Sequence, residues 1–155
     1  MTKTKYNLRN RASDLKKLDP LDDALELMFF GWSGLIRKAE VYFASIGLTR
    51  THRRILYIIA RQEGVTIGEI QLILGISKQA LHRPMKQLLE EKFVVAIRNP
   101  KSHRFKMLHL TPKGRKAEAK ASSHERRIMN RAFMQVGNSS RKAWSEIMAF
   151  LAQHG

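Results

Sequence analysis

Apolar positions recur at helical spacing along most of this chain and at strand spacing in one stretch. Leu25, Met28, Phe29, Trp32, Leu35, Ile36, Ala39 and Phe43 fall three and four residues apart, which predicts one long amphipathic helix. It spans about 21–46, starting at Asp19-Pro20, with Asp as N-cap and Pro at the first helical position, and ending near Gly47. Gly31 and Gly34 either admit a close helical neighbour or are simply tolerated, at up to about 1 kcal/mol each. A second helix runs from Thr49 to about Gln62 with Ile55, Leu56, Ile58 and Ile59 inward, and Gly64 breaks it. A short helix over 67–74 holds Ile70, Leu72, Ile73 and Leu74. Gly75-Ile76-Ser77 is then a tight turn, with Ser77 as N-cap of a fourth helix at about 78–92. Two helices joined by a short turn holding a glycine have the spacing of a helix-turn-helix.

The period changes at Phe93-Val94-Val95-Ala96-Ile97, a β-rich run. Residues 98–104 form a polar turn containing Asn99-Pro100, and Phe105–Leu110 resumes strand character, so the pair reads as a hairpin with a basic tip. Thr111-Pro112 starts a long helix with Ala117, Ala121, Ile128, Ala132, Phe133 and Val136 on its apolar positions. Gly137-Asn138 interrupts it, and Ser139 or Ser140 starts a last helix with Trp144, Ile147, Met148 and Leu151 on one face.

At 155 residues the chain fits one domain, and its 43% hydrophobic and 27% charged residues are ordinary for a globular protein. Charge changes the picture. The 29 Lys and Arg residues against 13 Asp and Glu give +16, which argues for a polyanionic partner. Residues 1–18 carry +5, residues 19–48 carry −3, residues 49–116 carry +11 and residues 117–155 carry +3. The bases spread over several short elements that also hold a core, which favours nucleic acid over a membrane surface. No run approaches 18 uninterrupted apolar residues, and the first eighteen lack the apolar core of a secretory signal. Residues 1–18 therefore read as a basic, disordered arm of a cytoplasmic protein. The chain has no cysteine, which excludes disulfides, thiol nucleophiles, cysteine-ligated zinc and thiol redox sensing.

The fourth helix carries the sharpest chemistry. Leu81, Met85, Leu88 and Leu89 form its apolar stripe, while Gln79, His82, Arg83 and Lys86 share the opposite face. An α-helix fits the major groove of B-DNA, where arginine pairs bidentately with guanine and glutamine with adenine. Arg83 and Gln79 suit those roles; Lys78 and Lys86 suit phosphates. A polar face is also what any surface helix shows, and the turn before this helix and the hairpin after it are what favour DNA. Pro84 removes one backbone hydrogen bond and crowds the Ala80 carbonyl, which predicts a kink or a loosened first turn. The hairpin tip offers Arg98, Lys101, His103, Arg104 and Lys106, suited to phosphates or a narrow minor groove.

The order of these pieces resembles the MarR family of winged-helix bacterial transcription regulators. The resemblance covers about 20–155. It rests on Gly47-Leu48-Thr49, on Ile67-Gly68-Glu69-Ile70 through Leu74-Gly75-Ile76-Ser77, on Leu88-Leu89-Glu90-Glu91-Lys92-Phe93-Val94, and on Leu110-Thr111-Pro112-Lys113-Gly114. It implies a mainly α (α+β) fold: a winged helix-turn-helix with a two-stranded β-wing and N- and C-terminal dimerisation helices. The expected organisation is an arm at 1–18 and a single domain at 19–155. Within it, 19–48 and 117–155 supply the dimerisation helices and 49–116 the winged helix-turn-helix. The resemblance also implies an obligate homodimer reading a palindromic operator on double-stranded DNA, and repression or activation tuned by a small aromatic or phenolic effector. Ser102-His103-Arg104 departs from the family's usual Asp-x-Arg in the wing by lacking the acid, which leaves Arg104 without that orienting partner.

The six histidines are scattered without metal-ligand spacing, so no metal and no cofactor is expected. Trp32, Ile36, His52 and Phe133 are candidates to line a ligand cavity, the alternative being that they fill a core or a helix interface. No nucleophile elbow, phosphate-cradling loop or carboxylate pair appears, so no enzymatic activity is expected. The reading is a DNA-binding regulator, in the first instance a repressor. Its rival is a nonspecific nucleoid-like or RNA-associated protein of the same fold.

Overall fold

The computed structural model describes residues 18–99 and 102–154, with side chains for all of these except 99–105. The basic arm lies outside the described residues but for Leu18, and Lys101 lies outside them too. Six helices and one hairpin follow in order: α1 (Asp22–Ser45), α2 (Arg50–Arg61), α3 (Ile67–Leu74), α4 (Lys78–Glu90), β1 (Val94–Asn99), β2 (Ser102–Leu110), α5 (Pro112–Val136) and α6 (Asn138–His154). This is the winged helix-turn-helix with long flanking helices. The chain divides into two units at Arg37 and Lys38, taken in turn below.

The first unit holds the start of α1, which departs from the sequence reading. Asp19-Pro20 forms a turn ahead of the helix: Asp19 Oδ1 accepts the Leu21 N–H at 2.7 Å, and Asp22 Oδ2 accepts the Asp19 N–H at 3.0 Å. The two aspartates cap each other's amides, so the helix opens at Asp22, later than predicted. Leu25, Leu27, Phe29 and Trp32 are exposed along it, while Ile36 is buried.

In the second unit, one core joins Ala39, Phe43, Ile55, Leu56, Ile59, Ile70, Leu81, Leu88, Phe93 and Leu108. Each helix start that abuts this core finds an acceptor for its orphan amides. Thr66 Oγ1 accepts from the Glu69 amide at 3.3 Å, Ser77 Oγ from the Ala80 amide at 3.2 Å, and Thr111 Oγ1 from the Gly114 amide at 3.1 Å. Glu69 returns the bond by accepting the Thr66 N–H, and that bond is the main reason its carboxyl titrates below the ordinary range.

β1 and β2 pair antiparallel from Val94↔Leu110 to Arg98↔Lys106, with an irregularity between Arg98 and Asn99. The strands reach further toward the tip than predicted, because backbone pairing continues through the polar residues. Val65 and Gly64 extend the sheet: the Gly64 N–H donates to the Leu108 carbonyl at 3.2 Å, and the Leu108 N–H to that of Val65 at 2.9 Å. The wing is thereby anchored to the segment between α2 and α3.

Where α5 begins, Thr111 Oγ1 donates to the Lys92 carbonyl at 2.7 Å, and Lys113 Nζ donates to that of Glu91 at 2.8 Å. Gly114 makes this contact sterically feasible, since a Cβ there would lie 2.1 Å from the Phe93 carbonyl oxygen. Backbone cannot yield as a side chain tip can. Gly114→Ala should therefore lower the unfolding free energy by about 3 kcal/mol, the upper end of ordinary overpacking. Urea denaturation checks this, and an unchanged midpoint would contradict the close approach.

Candidate nucleic-acid interface

The helix-turn-helix is α3, the turn Gly75-Ile76-Ser77, and α4. Gly75 adopts the left-handed conformation (φ +61°) that ends α3 and lets the chain reverse. Ile70 and Leu74 of α3 and Leu81, Met85 and Leu88 of α4 are buried, which fixes both helices to the core. Arg54 of α2 adds a polar tie, its guanidinium donating to the Leu74 carbonyl at 3.3 Å. Nothing in the sequence marks that contact, because it joins residues twenty apart in the chain.

Gln79, His82, Arg83 and Lys86 are all exposed on one side of α4, and Lys78 is exposed at its first position. The structure thus brings together the five residues singled out on this helix. Lys86 lies 3.7 Å from Glu90 with both side chains mostly in solvent, a pair worth at most about 1 kcal/mol and readily given up to a phosphate. The first turn, for which Pro84 predicts loosening, is closed. α4 runs unbroken from Lys78 to Glu90, and the Leu81 N–H donates to the Ser77 carbonyl at 3.1 Å. The Ser77 cap holds the turn on one side of the proline and the buried Met85 and Leu88 hold the helix on the other.

On the wing, Arg98 and Lys106 are exposed and sit opposite each other in the strand register. His103 and Arg104 belong to β2, with side chains outside the described residues, as is all of Lys101. The acids of the neighbouring scaffold are turned inward: Glu118 of α5 accepts from Arg61 of α2 at 2.8 Å and from Ser122 at 2.5 Å, and Glu125 pairs with Arg53. Burial raises the Glu125 carboxyl above its ordinary range, outweighing the attraction of Arg53. The Tyr57 ring lies between the two arginines, with the Arg61 guanidinium carbon 3.4 Å from its centroid.

The four candidate ligand residues fall in different places. Trp32 is 55% exposed and Ile36 buried in α1. His52 is buried at the start of α2, and Phe133 packs edge-on against Trp144 at 5.4 Å. A cleft of about 270 Å³ lies between the end of α2 and the start of α5, lined by Ile59, Ala60, Glu63, Leu110, Arg115, Glu118 and Ala119, and by none of the four. Among the described residues no cluster has the composition of a metal site, and no helix is long and apolar enough to cross a membrane.

Residues 46–104, from the corner before α2 through the wing, match the model of the MarR family. Over that stretch the chain resembles the MarR family. A relative, the HTH-type transcriptional regulator PetP of Rhodobacter capsulatus, is 26% identical over 130 residues, covering 84% of this chain and 78% of that protein. Among solved structures, a MarR-family regulator from Silicibacter pomeroyi superposes with a TM-score of 0.70 at 20% identity, covering 88% of this chain and 94% of that one. The transcriptional repressor CouR, bound to a 23-mer DNA duplex, superposes with a TM-score of 0.65 at 25% identity, covering 90% and 94%. The matched family and these relatives are transcription regulators, and the fold is one that such regulators share.

Ser77 sets where α4 starts, so its hydroxyl positions the exposed face of Gln79, His82, Arg83 and Lys86. Ser77→Ala should cost about 1 kcal/mol of stability, measured by chemical denaturation. A loss below a few tenths would mean that the cap is not what fixes the helix start.

Proposed function

We propose that this chain acts as a homodimeric MarR-family repressor in the cytoplasm and reads a palindromic operator with α4. The observation that carries the reading is the exposed face of Gln79, His82, Arg83 and Lys86 on the second helix of a capped helix-turn-helix, flanked by Arg98 and Lys106 of the wing. Arg83 and Gln79 take base edges. Lys78, Lys86, Arg98, Lys101 and Lys106 take phosphates, and His103 and Arg104 lie at the wing tip. CouR on its duplex supports the same use of the fold.

A second copy of the chain is the partner that the terminal helices call for. α6 has no buried residue, and Trp144, Ile147, Phe150 and Leu151 are exposed on it, as Leu25, Phe29 and Trp32 are on α1. Amphipathic helices hold their shape by burying such faces, and contiguous apolar surface of this kind marks an interface. In this reading 19–48 and 117–155 form the dimerisation region, 49–116 reads DNA, and the arm at 1–18 adds basic charge. A small aromatic or phenolic effector tunes this binding. The net charge of +16 favours a second reading, a nonspecific nucleoid-like or RNA-associated protein, since phosphate attraction alone supports sequence-independent binding.

Selection from random duplexes separates the two. An enriched inverted repeat supports the regulator; no enrichment supports nonspecific binding. On the selected site, Arg83→Ala should relax preference by about 1–3 kcal/mol at one base position in each half. Lys101→Ala should instead weaken all sequences alike and reduce the salt slope by about one. Equal losses across random DNA for both variants would rule out base reading by α4. Sedimentation should show a dimer that Ile147→Glu dissociates; a monomeric wild-type protein would overturn the dimer.

A further inference from the structure

His52 is 4% exposed, the buried histidine among the described residues. Its Nδ1 accepts the Thr49 N–H at 3.0 Å and lies 2.7 Å from the Thr49 hydroxyl. A backbone N–H can only donate, so Nδ1 carries no proton and the ring is held as the Nε2–H tautomer. The ring thus occupies the place that Glu or Gln takes in the common capping box. A doubly protonated ring has no acceptor to offer, so protonation and the cap are mutually exclusive.

The other side of the ring faces α4. Gln87 lies close enough to bias the ring's charge without reaching hydrogen-bonding geometry with Nε2, and Glu91 adds its negative field. Gln87 Nε2 donates to the Gly47 carbonyl at 3.1 Å and to Glu91 Oε1 at 2.7 Å. Gly47 is the left-handed residue (φ +76°) that turns the chain from α1 into α2. One amide, a single turn beyond Arg83, therefore ties the reading helix to the corner that His52 caps.

We infer that His52 and Gln87 form a positioning junction between the α1–α2 corner and the reading helix, and that proton uptake by His52 opens it and weakens DNA binding. Only the effect on DNA rests on the function proposed above. Burial holds the ring's affinity for a proton below that of a free histidine, against the opposing pull of Gln87 and Glu91. The unfolded ring titrates near 6.5, so the junction's contribution is complete above about that pH and is lost as pH falls through the lower folded value.

Two measurements on the full-length protein test this. The first is an NMR titration without DNA: His52 should show the Nε2–H tautomer, and the amides of Gln79–Lys86 should shift with its midpoint. His52→Gln keeps an acceptor for the Thr49 amide, so it should fold and abolish that transition, whereas Gln87→Met should leave His52 titrating while the α4 amides cease to follow. An Nδ1–H tautomer, or α4 amides indifferent to His52, would overturn the junction whatever the protein does to DNA. The second compares affinity for the selected duplex at constant salt. Below its midpoint the wild type should lose up to about tenfold per pH unit for each protomer of the bound dimer relative to His52→Gln, the limit for one linked proton per chain. The comparison cancels every pH effect that the two proteins share. Parallel pH profiles would overturn the link to DNA binding.

Discussion

A helix that begins against a core must find acceptors for its first amides, and this requirement organises the DNA-binding half of the molecule. Thr66, Ser77 and Thr111 meet it with hydroxyls, and His52 meets it with a ring nitrogen. Each cap fixes the residue at which a helix starts and so the face it presents. For α4 a shift of one residue would rotate the side chains by about 100°, enough to turn the face of Gln79, His82, Arg83 and Lys86 aside. The Thr111 cap does further work, because the same hydroxyl donates to the Lys92 carbonyl where α4 gives way to the wing. Reading helix, wing and α5 are thereby set by one short stretch of backbone.

Charge is sorted by the same architecture. Glu69 is drawn into a helix cap, while Glu118 and Glu125 turn toward Arg61 and Arg53 across the α2–α5 contact. These acids pair with arginines inside the scaffold, while Lys78, Arg83 and Lys86 of α4 and Arg98 and Lys106 of the wing face water. The strong positive field of residues 49–116 is consequently directed outward. A basic face of that kind raises the rate of encounter with any duplex, and in the proposed function base contacts from α4 supply discrimination among sequences.

Much of this was legible in the sequence because it is local. The period of Leu81, Met85 and Leu88 against Gln79, His82, Arg83 and Lys86 placed both faces of α4, and the Ser77 cap and the Gly75 turn followed from residue type. The start of α1 was read too early, because Asp19 and Asp22 cap each other in a turn that Asp-Pro alone does not reveal. Pro84 predicts a kink or a loosened first turn, and the first turn is closed because the Ser77 cap holds it. The contacts that matter most for positioning were invisible: Arg54 to Leu74, Gln87 to Gly47 and Gly114 against Phe93 join residues far apart in the chain. His52 is read as a candidate ligand residue, and the structure gives it the last place of a Thr-x-x-His capping box, where the rule looks for Glu or Gln.

The central claim is that α4 enters the major groove with Gln79 and Arg83 toward the bases. The absence of cysteine allows a direct measurement, because Gln79→Cys creates the only thiol to which a DNA-cleaving iron chelate attaches. Bound to the selected duplex, the conjugate should cut at two symmetry-related positions with the strand offset of major-groove attack, about one helical turn or a multiple of it apart. Cuts with the minor-groove offset, or spread evenly along the duplex, would contradict the account.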